Sequence, residues 1–373
     1  GFIIKKDFDE LKIMEKQYDE TKNNSKEISI VLLSSENCNF SCPYCFIGKK
    51  RGFNMDENVY TNVLKMIKKN KKIEKIKVQF FGGEPLLNHK KNILFIDKLN
   101  KILAKNNIKK DLLMVTNGYL LNKEIFLSYF QRGCKYFQVT FDGYKESHNI
   151  LRFIKNDTNT FEKIYNNLIE IKKIQGDFEI WLRINFTDSI KKNEMFNFIN
   201  LIKKDLDHRF KIYFRPIMDF GNMTKNLSLC NINSAKNNML EYMISFHKNF
   251  NSKILPYSDV VSDFLPSRIP IWCDAVKKNF FIIGADGLVF KCDVEAGNKE
   301  FAIGKIHNDG IIDIKKKNYY EYYSPYNKKE CLECKFLPLC QGGCMHSKKN
   351  ERYCFFNMDY VKKIMVNFFR NFN

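Results

Sequence analysis

The amino-acid sequence predicts an α/β protein built on parallel strands and followed by a small domain organised by cysteines. After residue 28, short runs rich in Ile, Val, Phe and Leu alternate six times with segments of helical period. Strands that alternate with helices are joined by right-handed crossovers and therefore run parallel. Beyond about residue 220 this alternation stops, and Cys, Gly and Tyr become frequent.

Each predicted strand is a short apolar run. The six strands are Ile28–Ser34, Ile76–Phe81, Leu112–Thr116, Tyr136–Phe141, Phe178–Phe186 and Lys211–Arg215. Helices are predicted between them from apolar positions three and four residues apart. Their predicted buried faces are Val59, Val63, Met66 and Ile67, with Asp56 as the N-cap; Phe161, Ile164, Leu168 and Ile171; and Met195, Phe198, Ile199 and Ile202.

The pattern predicts four parts along the chain. These are a helical extension at 1–27, a barrel at 28–234, a helical linker at 235–264 and a cysteine-rich domain at 265–373. In the extension, an amphipathic helix over Phe2–Tyr18 is predicted through Ile4, Phe8 and Leu11. About 27 residues before the first strand are too few for a separate peptide-recognition domain.

Composition indicates a globular chain with a basic surface. The formal net charge is +20, and the Lys runs fall on predicted helix faces or in loops. We interpret this charge as solvated surface, and the alternative is long-range attraction to an acidic partner. We expect no nucleic-acid partner. No apolar run approaches the roughly 20 residues of a membrane span, so no membrane partner is expected either. A cytoplasmic location is the default prediction.

The first cysteine group lies directly after the first strand. Cys38, Cys42 and Cys45 follow the spacing C-x3-C-x2-C, with the aromatic Tyr44 before the third cysteine. A 4Fe–4S cluster needs four ligands, so three thiolates leave one iron free. S-adenosylmethionine can chelate that iron through its amino and carboxylate groups. The alternative is a zinc knuckle that lacks one ligand.

The spacing and Tyr44 resemble the radical S-adenosylmethionine (radical SAM) superfamily, which implies a partial (β/α)6 barrel. Gly82-Gly83-Glu84 after the second strand matches the motif that binds the methionine amino group. The resemblance places Tyr44 on the adenine side, and Thr140 and Arg152 near the ribose and carboxylate. Further candidate cofactor-binding residues at strand ends are Asn117, Asp142 and Arg183. His148, nearby, is interpreted as a structural histidine.

The second cysteine group contains Cys273, Cys292 and the run Cys331-x2-Cys334-x5-Cys340-x3-Cys344, with Cys354 nine residues further on. This pattern resembles the SPASM extension, which binds two auxiliary 4Fe–4S clusters. The resemblance implies that Cys331, Cys334, Cys340 and Cys354 ligate the outer cluster. Cys273, Cys292 and Cys344 would ligate the inner one. The fullest family pattern has one more cysteine shortly after the first, which this chain lacks. The inner cluster would then have an open iron for water, Asp274, Asp293 or a substrate thiolate. The alternative is a structural zinc site made by Cys331, Cys334, Cys340 and Cys344.

Asp293, next to Cys292, is the candidate catalytic residue. In related sulfatase-maturing enzymes an Asp at this place acts as a base toward the substrate, and a carboxylate beside a cluster can take the proton released on oxidation. The alternative is an ordinary surface or capping Asp. Cys134 and Cys230 stand apart from both groups and are predicted to be buried small hydrophobes.

The resemblance implies oxidative modification of a substrate. The leading hypothesis is a maturase that forms a thioether or carbon–carbon crosslink in a ribosomally made peptide, which would contain cysteine. One alternative is an anaerobic sulfatase maturase that makes formylglycine from Cys or Ser. A third reading is a non-catalytic iron–sulfur or zinc protein. A radical SAM enzyme would also need a low-potential electron donor such as flavodoxin or ferredoxin.

Overall fold

A computed structural model describes residues 9–45, 52–155, 157–217, 232–248, 268–315, 319–348, 361–366 and 370. All six predicted strands are present. They are β1 (Glu27–Ser35), β2 (Lys75–Gly82), β3 (Lys109–Thr116), β4 (Cys134–Asp142), β5 (Glu179–Phe186) and β6 (Phe210–Pro216). Each pairs in parallel with the next, in the order β1 to β6. The α/β prediction is therefore confirmed.

Helices connect the six strands, and three of them contain the apolar faces that the sequence predicts. The longer helices are α1 (Glu10–Lys22), α2 (Glu57–Lys69), α3 (His89–Lys105), α4 (Lys123–Phe130), α5 (Lys145–Leu151), α6 (Thr160–Lys172), α7 (Lys192–Asp205) and α8 (Ile232–Lys248). Asp56 caps α2 as predicted, since its Oδ1 accepts from the Val59 N–H at 3.0 Å. The predicted faces of α6 and α7 are buried, and α8 begins the predicted linker.

The N-terminal helix differs from the prediction. It begins at Glu10, because the Asp9 Oδ1 accepts from the Lys12 N–H at 2.9 Å and caps it there. Of the predicted apolar face, Leu11 is 40% exposed, and residues 1–8 lie outside the described ranges. The buried positions are Met14 and Tyr18, four residues apart, and they pack against the cysteine-rich region. The helix therefore packs against the cysteine-rich region and not against the sheet.

The two faces of the parallel sheet have opposite character. Along β2, the buried side chains of Ile76, Val78 and Phe80 alternate with half-buried Lys77 and Gln79. The buried set faces the helices, as the ring contact of Phe80 with Phe95 on α3 illustrates. Because successive side chains of a strand point to opposite faces, the polar set lines the concave inner face. The barrel interior is therefore open to a ligand and not filled by a core.

The sheet continues beyond the predicted barrel. Strands β7 (Phe280–Ile283), β8 (Leu288–Phe290), β9 (Gly304–Ile306) and β10 (Ile312–Ile314) extend it at the β1 edge. Strand β7 runs parallel to β1, and β8 to β10 are antiparallel. The beginning of the cysteine-rich region is thus joined to the barrel by backbone hydrogen bonds. The domain boundaries given above stay predictions.

The rest of the cysteine-rich region consists of very short elements. Its four-residue helices are Tyr319–Tyr322, Lys329–Leu332, Leu337–Cys340 and Met345–Lys348. Three tyrosines of the Tyr-rich stretch, Tyr320, Tyr323 and Tyr326, form a small core with Met14 and Tyr18 of α1. No helix in the described part of the chain is both long and apolar enough to cross a lipid bilayer.

Candidate active site

One cavity at the carboxyl ends of the strands collects most of the predicted cofactor residues. We call it the cysteine cavity. Its predicted lining residues are Cys38, Cys42, Tyr44, Cys45, Gly82, Gly83, Asn117, Thr140, Arg152 and Arg183. These side chains come from a loop and several strands, so it is the tertiary fold that brings them together in one cavity. The carboxyl end of a parallel barrel is also where active sites lie in such folds.

The cysteine loop is anchored on both sides of Cys42. Phe40 is buried, and its ring lies 5.3 Å from the Arg152 guanidinium carbon. The Ser41 N–H donates to the Phe153 carbonyl at 2.9 Å, and the Cys45 N–H donates to the Cys42 carbonyl at 3.3 Å. Burial raises the pKa of the Cys42 thiol to about 12 in the absence of a metal. The loop therefore holds its three sulfurs together, near positive charge.

The two glycines of the Gly-Gly-Glu motif have a structural role that the sequence does not reveal. A Cβ on Gly82, whose φ is +125°, would lie 2.3 Å from the Ser35 carbonyl oxygen. A Cβ on Gly83 would lie 2.2 Å from the Asn37 carbonyl oxygen. Any side chain at either position would therefore push the segment before Cys38 away from β2. Both glycines also line the cavity, so their backbone stays accessible to a ligand.

Glu84 lies beneath the cavity instead of lining it. Its carboxylate is fully buried and accepts from the Asn117 N–H, the Thr116 hydroxyl and the Leu86 N–H at 2.8 to 2.9 Å. Burial raises the pKa of Glu84, and these hydrogen bonds oppose the shift. In the structure Glu84 joins the ends of β2 and β3. Its contact with an amino group of the cofactor stays a prediction.

A buried polar network joins the cysteine loop to β4 and β5. The Tyr44 hydroxyl donates to Asp142 Oδ2 and accepts from Arg152 Nη1 at 3.0 Å. The Asn185 amide donates to Asp142 Oδ1 at 3.0 Å. Burial raises the pKa of Asp142, and the Arg152 charge opposes that shift. The network thus fixes the residue before Cys45 through groups about a hundred positions away in sequence.

Of two further residues near the cavity, His148 contacts this network and Asn117 contacts the cysteine loop. His148 is fully buried, and its Nδ1 accepts from the Asp142 N–H at 3.3 Å. Burial and the Arg152 charge lower the pKa of His148 well below its usual value, so the ring is neutral. This agrees with the interpretation of a structural histidine. Asn117 lies on the other side, where its Nδ2 donates to Asn39 Oδ1 at 2.7 Å, 3.9 Å from Cys38 Sγ.

The donor set of the cysteine cavity fits a cluster with an amino-acid cofactor. Three thiols converge, and N–H groups of Phe40 and Asn117 point at the Cys38 sulfur. The buried Nε of Arg152 has no hydrogen-bond partner among the described residues. A buried, unused guanidinium donor suits a carboxylate ligand, because it would otherwise bear an uncompensated desolvation penalty.

A second, larger cavity occupies the barrel interior. We call it the barrel cavity; its volume is about 680 Å³. Gln138 lines both this cavity and the cysteine cavity, so the two meet. Aromatic side chains of Tyr136, Trp181 and Tyr213 line its wall, and Asp274 lines it from the cysteine-rich region. Sequence reasoning missed this surface, although polar residues alternating within parallel strands, such as Lys77 and Gln79, are a signal of it.

The predicted inner-cluster cysteines approach one another beside the barrel cavity. Burial raises the pKa of Cys273 to about 11, with further contributions from the nearby Asp293, Cys344 and Asp274. Cys292 Sγ lies 3.9 Å from Asp293 Oδ1, which also accepts from the Val294 N–H at 3.1 Å. Asp293 is exposed, and Asp274 is ion-paired with Lys277 at 2.7 Å. The proton-transfer role of Asp293 stays a prediction.

Two of the predicted outer-cluster cysteines, Cys331 and Cys340, lie near the small tyrosine core. Cys331 and Cys340 influence the pKa of Tyr323, and the Cys334 N–H donates to the Cys331 carbonyl at 3.1 Å. Within the described ranges, no three His, Cys, Asp or Glu side chains are grouped around a single-ion position. Cys354 and Cys230 lie outside the described residues. Cys134 is fully buried, as predicted.

Comparison with known proteins identifies the family of the barrel domain. Residues 32–202 match the Radical SAM superfamily. The chain therefore contains a radical SAM domain. This family implies S-adenosylmethionine and a 4Fe–4S cluster, for which Cys38, Cys42 and Cys45 are the fitting ligands.

Two relatives and one solved structure match this chain over most of its length. A cysteine-type anaerobic sulfatase-maturating enzyme of Clostridium novyi (strain NT) is 25% identical over 350 residues, covering 87% of this chain and 89% of that protein. The radical SAM cyclopropyl synthase TigE of Paramaledivibacter caminithermalis is 23% identical over 370 residues, covering 87% of this chain and 69% of that protein. The solved structure of native anSMEcpe with bound AdoMet and Cp18Cys peptide superposes with a TM-score of 0.65 at 22% identity, covering 92% and 96% of the two chains. That superposition supports the fold.

Proposed function

We propose that this enzyme oxidises a side chain of a peptide or protein substrate that occupies the barrel cavity. The observation that carries the proposal is the position of that cavity. It meets the cysteine cavity at Gln138 and reaches Asp274, next to Cys273, on its other side. A substrate there would lie between the radical SAM site and the predicted inner auxiliary site. An enzyme that both removes hydrogen and removes a further electron needs this arrangement.

The residues of the cysteine cavity have separate roles in the proposal. Bound S-adenosylmethionine on a reduced 4Fe–4S cluster supplies a 5′-deoxyadenosyl radical, which removes hydrogen from carbon. Cys38, Cys42 and Cys45 would hold that cluster. Arg152 would meet the carboxylate of the cofactor with its unused Nε, and the exposed backbone of Gly82 and Gly83 would approach the methionine part.

The first candidate reaction is the conversion of a cysteine to formylglycine, the reaction type of the sulfatase-maturating relatives. The side chain loses two hydrogen atoms, and water then replaces the sulfur, which leaves as hydrogen sulfide. One hydrogen atom leaves in 5′-deoxyadenosine. The other leaves as a proton, which Asp293 can pass to solvent because it is exposed, and an electron. Cys273, Cys292 and Cys344 would hold the acceptor for that electron.

The second candidate reaction is a thioether or carbon–carbon crosslink in a ribosomally made peptide. It is favoured by the missing cysteine between Cys273 and Cys292, which leaves three cysteines for the predicted inner cluster. An open iron there could accept a substrate thiolate. The relative that is a cyclopropyl synthase is also consistent with bond formation.

Mass spectrometry of one reaction separates the candidates. The anaerobically reconstituted enzyme is incubated with S-adenosylmethionine, dithionite and a cysteine peptide carrying a sulfatase motif. Formylglycine formation predicts 5′-deoxyadenosine and a peptide whose lost mass matches exchange of the thiol for an aldehyde. A loss of only two hydrogen atoms supports crosslinking instead. If no 5′-deoxyadenosine forms under reduction, with or without peptide, the proposed function is wrong and the non-catalytic reading gains support.

A further inference from the structure

The junction of the two cavities holds two arginines whose charges are not paired. Arg215 lines the barrel cavity at the end of β6, and Arg183 lines the cysteine cavity on the adjacent β5. Arg183 donates through Nε to the neutral Asn185 amide at 2.9 Å. Arg215 lies 5.6 Å from the Tyr213 ring centroid. Among the described residues, no carboxylate lies within ion-pair distance of either guanidinium.

Three of the other charged groups that line the barrel cavity form ion pairs, whereas the Glu179 carboxylate does not. Lys77 pairs with Glu27 at 2.8 Å, and Asp274 pairs with Lys277 at 2.7 Å. Asp111 pairs with Lys75 at 2.6 Å, and Glu179 accepts from the Trp181 indole N–H. Glu179 and Arg215 are therefore the charged groups of the cavity wall that form no ion pair among the described residues. Arg215 and Arg183 on the adjacent strand are together called the arginine pair.

The arginine pair is also close enough to be mutually unfavourable. Burial and the Arg183 charge both lower the pKa of Arg215. Both arginines lower the pKa of Tyr213, which burial otherwise raises, and the Tyr213 hydroxyl donates to Gln138 Oε1 at 2.7 Å. Two like charges held together in a partly desolvated wall are stabilised when an anion binds between them. The planar guanidinium group matches a carboxylate with two parallel hydrogen bonds.

We propose that Arg215, together with Arg183, binds a carboxylate side chain of the substrate peptide and so selects a substrate with an acidic residue near the modified position. This inference rests on the proposed function, because it assumes that a peptide enters the barrel cavity. The bound carboxylate would lie beside Gln138, where the two cavities meet. An acidic residue at this point would fix the register of the peptide relative to the cofactor. The same guanidinium chemistry could instead serve the carboxylate of S-adenosylmethionine, and the experiment separates these two sources.

Matched peptide libraries test the inference. Fluorescent cysteine-containing peptides carry either Glu or Gln at each position around the cysteine, and their binding to the reconstituted holoenzyme is measured by anisotropy. The wild-type enzyme should bind the Glu peptides about tenfold more tightly at one or two positions, a typical effect of a charge-assisted contact. Arg215→Gln should abolish this preference and leave the KM for S-adenosylmethionine unchanged. Lys98→Gln, which removes the same charge from the surface of α3, should retain the preference.

The outcomes are distinguishable from failure of the proposed function. Equal binding of Glu and Gln peptides by the wild-type enzyme at every position overturns the inference. A raised KM for S-adenosylmethionine in Arg215→Gln with an intact Glu preference overturns it too, because Arg215 would then serve the cofactor. If Arg215→Gln does not fold, Arg215→Lys keeps the charge without the planar fork and should bind Glu peptides with an intermediate preference; an unchanged preference would contradict the proposal. Absence of 5′-deoxyadenosine bears on the proposed function only, since anisotropy reads binding directly.

Discussion

The two cysteine groups of this protein differ in the packing and hydrogen bonds that hold them in place. The loop of Cys38, Cys42 and Cys45 is anchored by a buried aromatic ring, backbone hydrogen bonds and the polar network around Asp142. Behind it lies the large core between sheet and helices. The cysteines from 273 to 344 lie among strands and helices of three or four residues around a small core. The first site is therefore preorganised by packing, whereas we predict that the second depends on its predicted clusters to hold its shape.

The largest expected effect tests the preorganised site. Cys42→Ala should abolish 5′-deoxyadenosine formation, because two thiolates cannot hold the cluster on which cofactor cleavage depends. The melting temperature should fall only modestly, because Cys42 lies in a loop and is only partly buried where it packs against the barrel core. Liquid chromatography of the nucleoside products and a thermal melt measure the two quantities. A fall in melting temperature as large as that caused by truncating a side chain of the barrel core would contradict this comparison.

A cysteine of the second group should behave differently. Cys334→Ala should retain substantial 5′-deoxyadenosine formation and lose the modified peptide, because the outer centre contributes to oxidation and not to cofactor cleavage. Product mass spectra alongside nucleoside analysis measure the split. Cys134→Ala is a suitable control, because its buried thiol belongs to neither group. Full product from Cys334→Ala would show that the auxiliary centre is dispensable.

Removal of iron should destabilise the cysteine-rich region more than the barrel. Chelation under anaerobic conditions should raise amide hydrogen exchange across residues 319–348 by far more than across β1 to β6. The physical reason is the difference in buried apolar area between the two regions. Exchange followed by mass spectrometry gives the map directly. Uniform exchange in both regions after chelation would contradict the comparison.

A smaller effect is expected within the polar network. Tyr44→Phe removes the hydroxyl that donates to Asp142 and accepts from Arg152, leaving two buried groups short of a partner. A loss of this kind costs about 1–3 kcal/mol. To the extent that this cost falls on cofactor binding, the KM for S-adenosylmethionine should rise roughly fivefold to a hundredfold. Steady-state kinetics with an electron paramagnetic resonance spectrum of the reduced cluster tests this. Tyr136→Phe, in the barrel cavity, is the matched control.

The smallest expected effect is on the stability of the barrel. Burial lowers the pKa of Lys203, on α7, to about 8. The unfolded state then binds one more proton between about pH 8 and the ordinary lysine pKa, so the free energy of unfolding rises with pH across that window. Lys203→Met should raise the melting temperature by a few degrees at pH 7, and the gain should shrink toward pH 10. The shift should be the same with and without iron, and a gain that persists unchanged at pH 10 would contradict the sign.

Contiguous motifs and periodic segments were predictable, and contacts between distant segments were not. The six strands, the cap at Asp56 and the faces of α6 and α7 follow from local pattern. The extension of the sheet by β7 to β10 was missed, because strands of three or four residues carry too little alternation to detect. The start of the first helix at Glu10 depends on one cap at Asp9, which a broad apolar pattern does not indicate.

The sequence by itself determined which residues are present for the chemistry, because cluster ligation depends on thiolates at short, fixed spacing in one loop. It also determined that strand-end polar residues share one face, because parallel strands end together. Only the tertiary structure decided that Tyr44 meets Asp142, that Glu84 lies beneath the cavity, and that Asp274 and Arg215 line one barrel cavity. These contacts join segments far apart in the chain, and their energy depends on burial and exact direction, which no local pattern encodes.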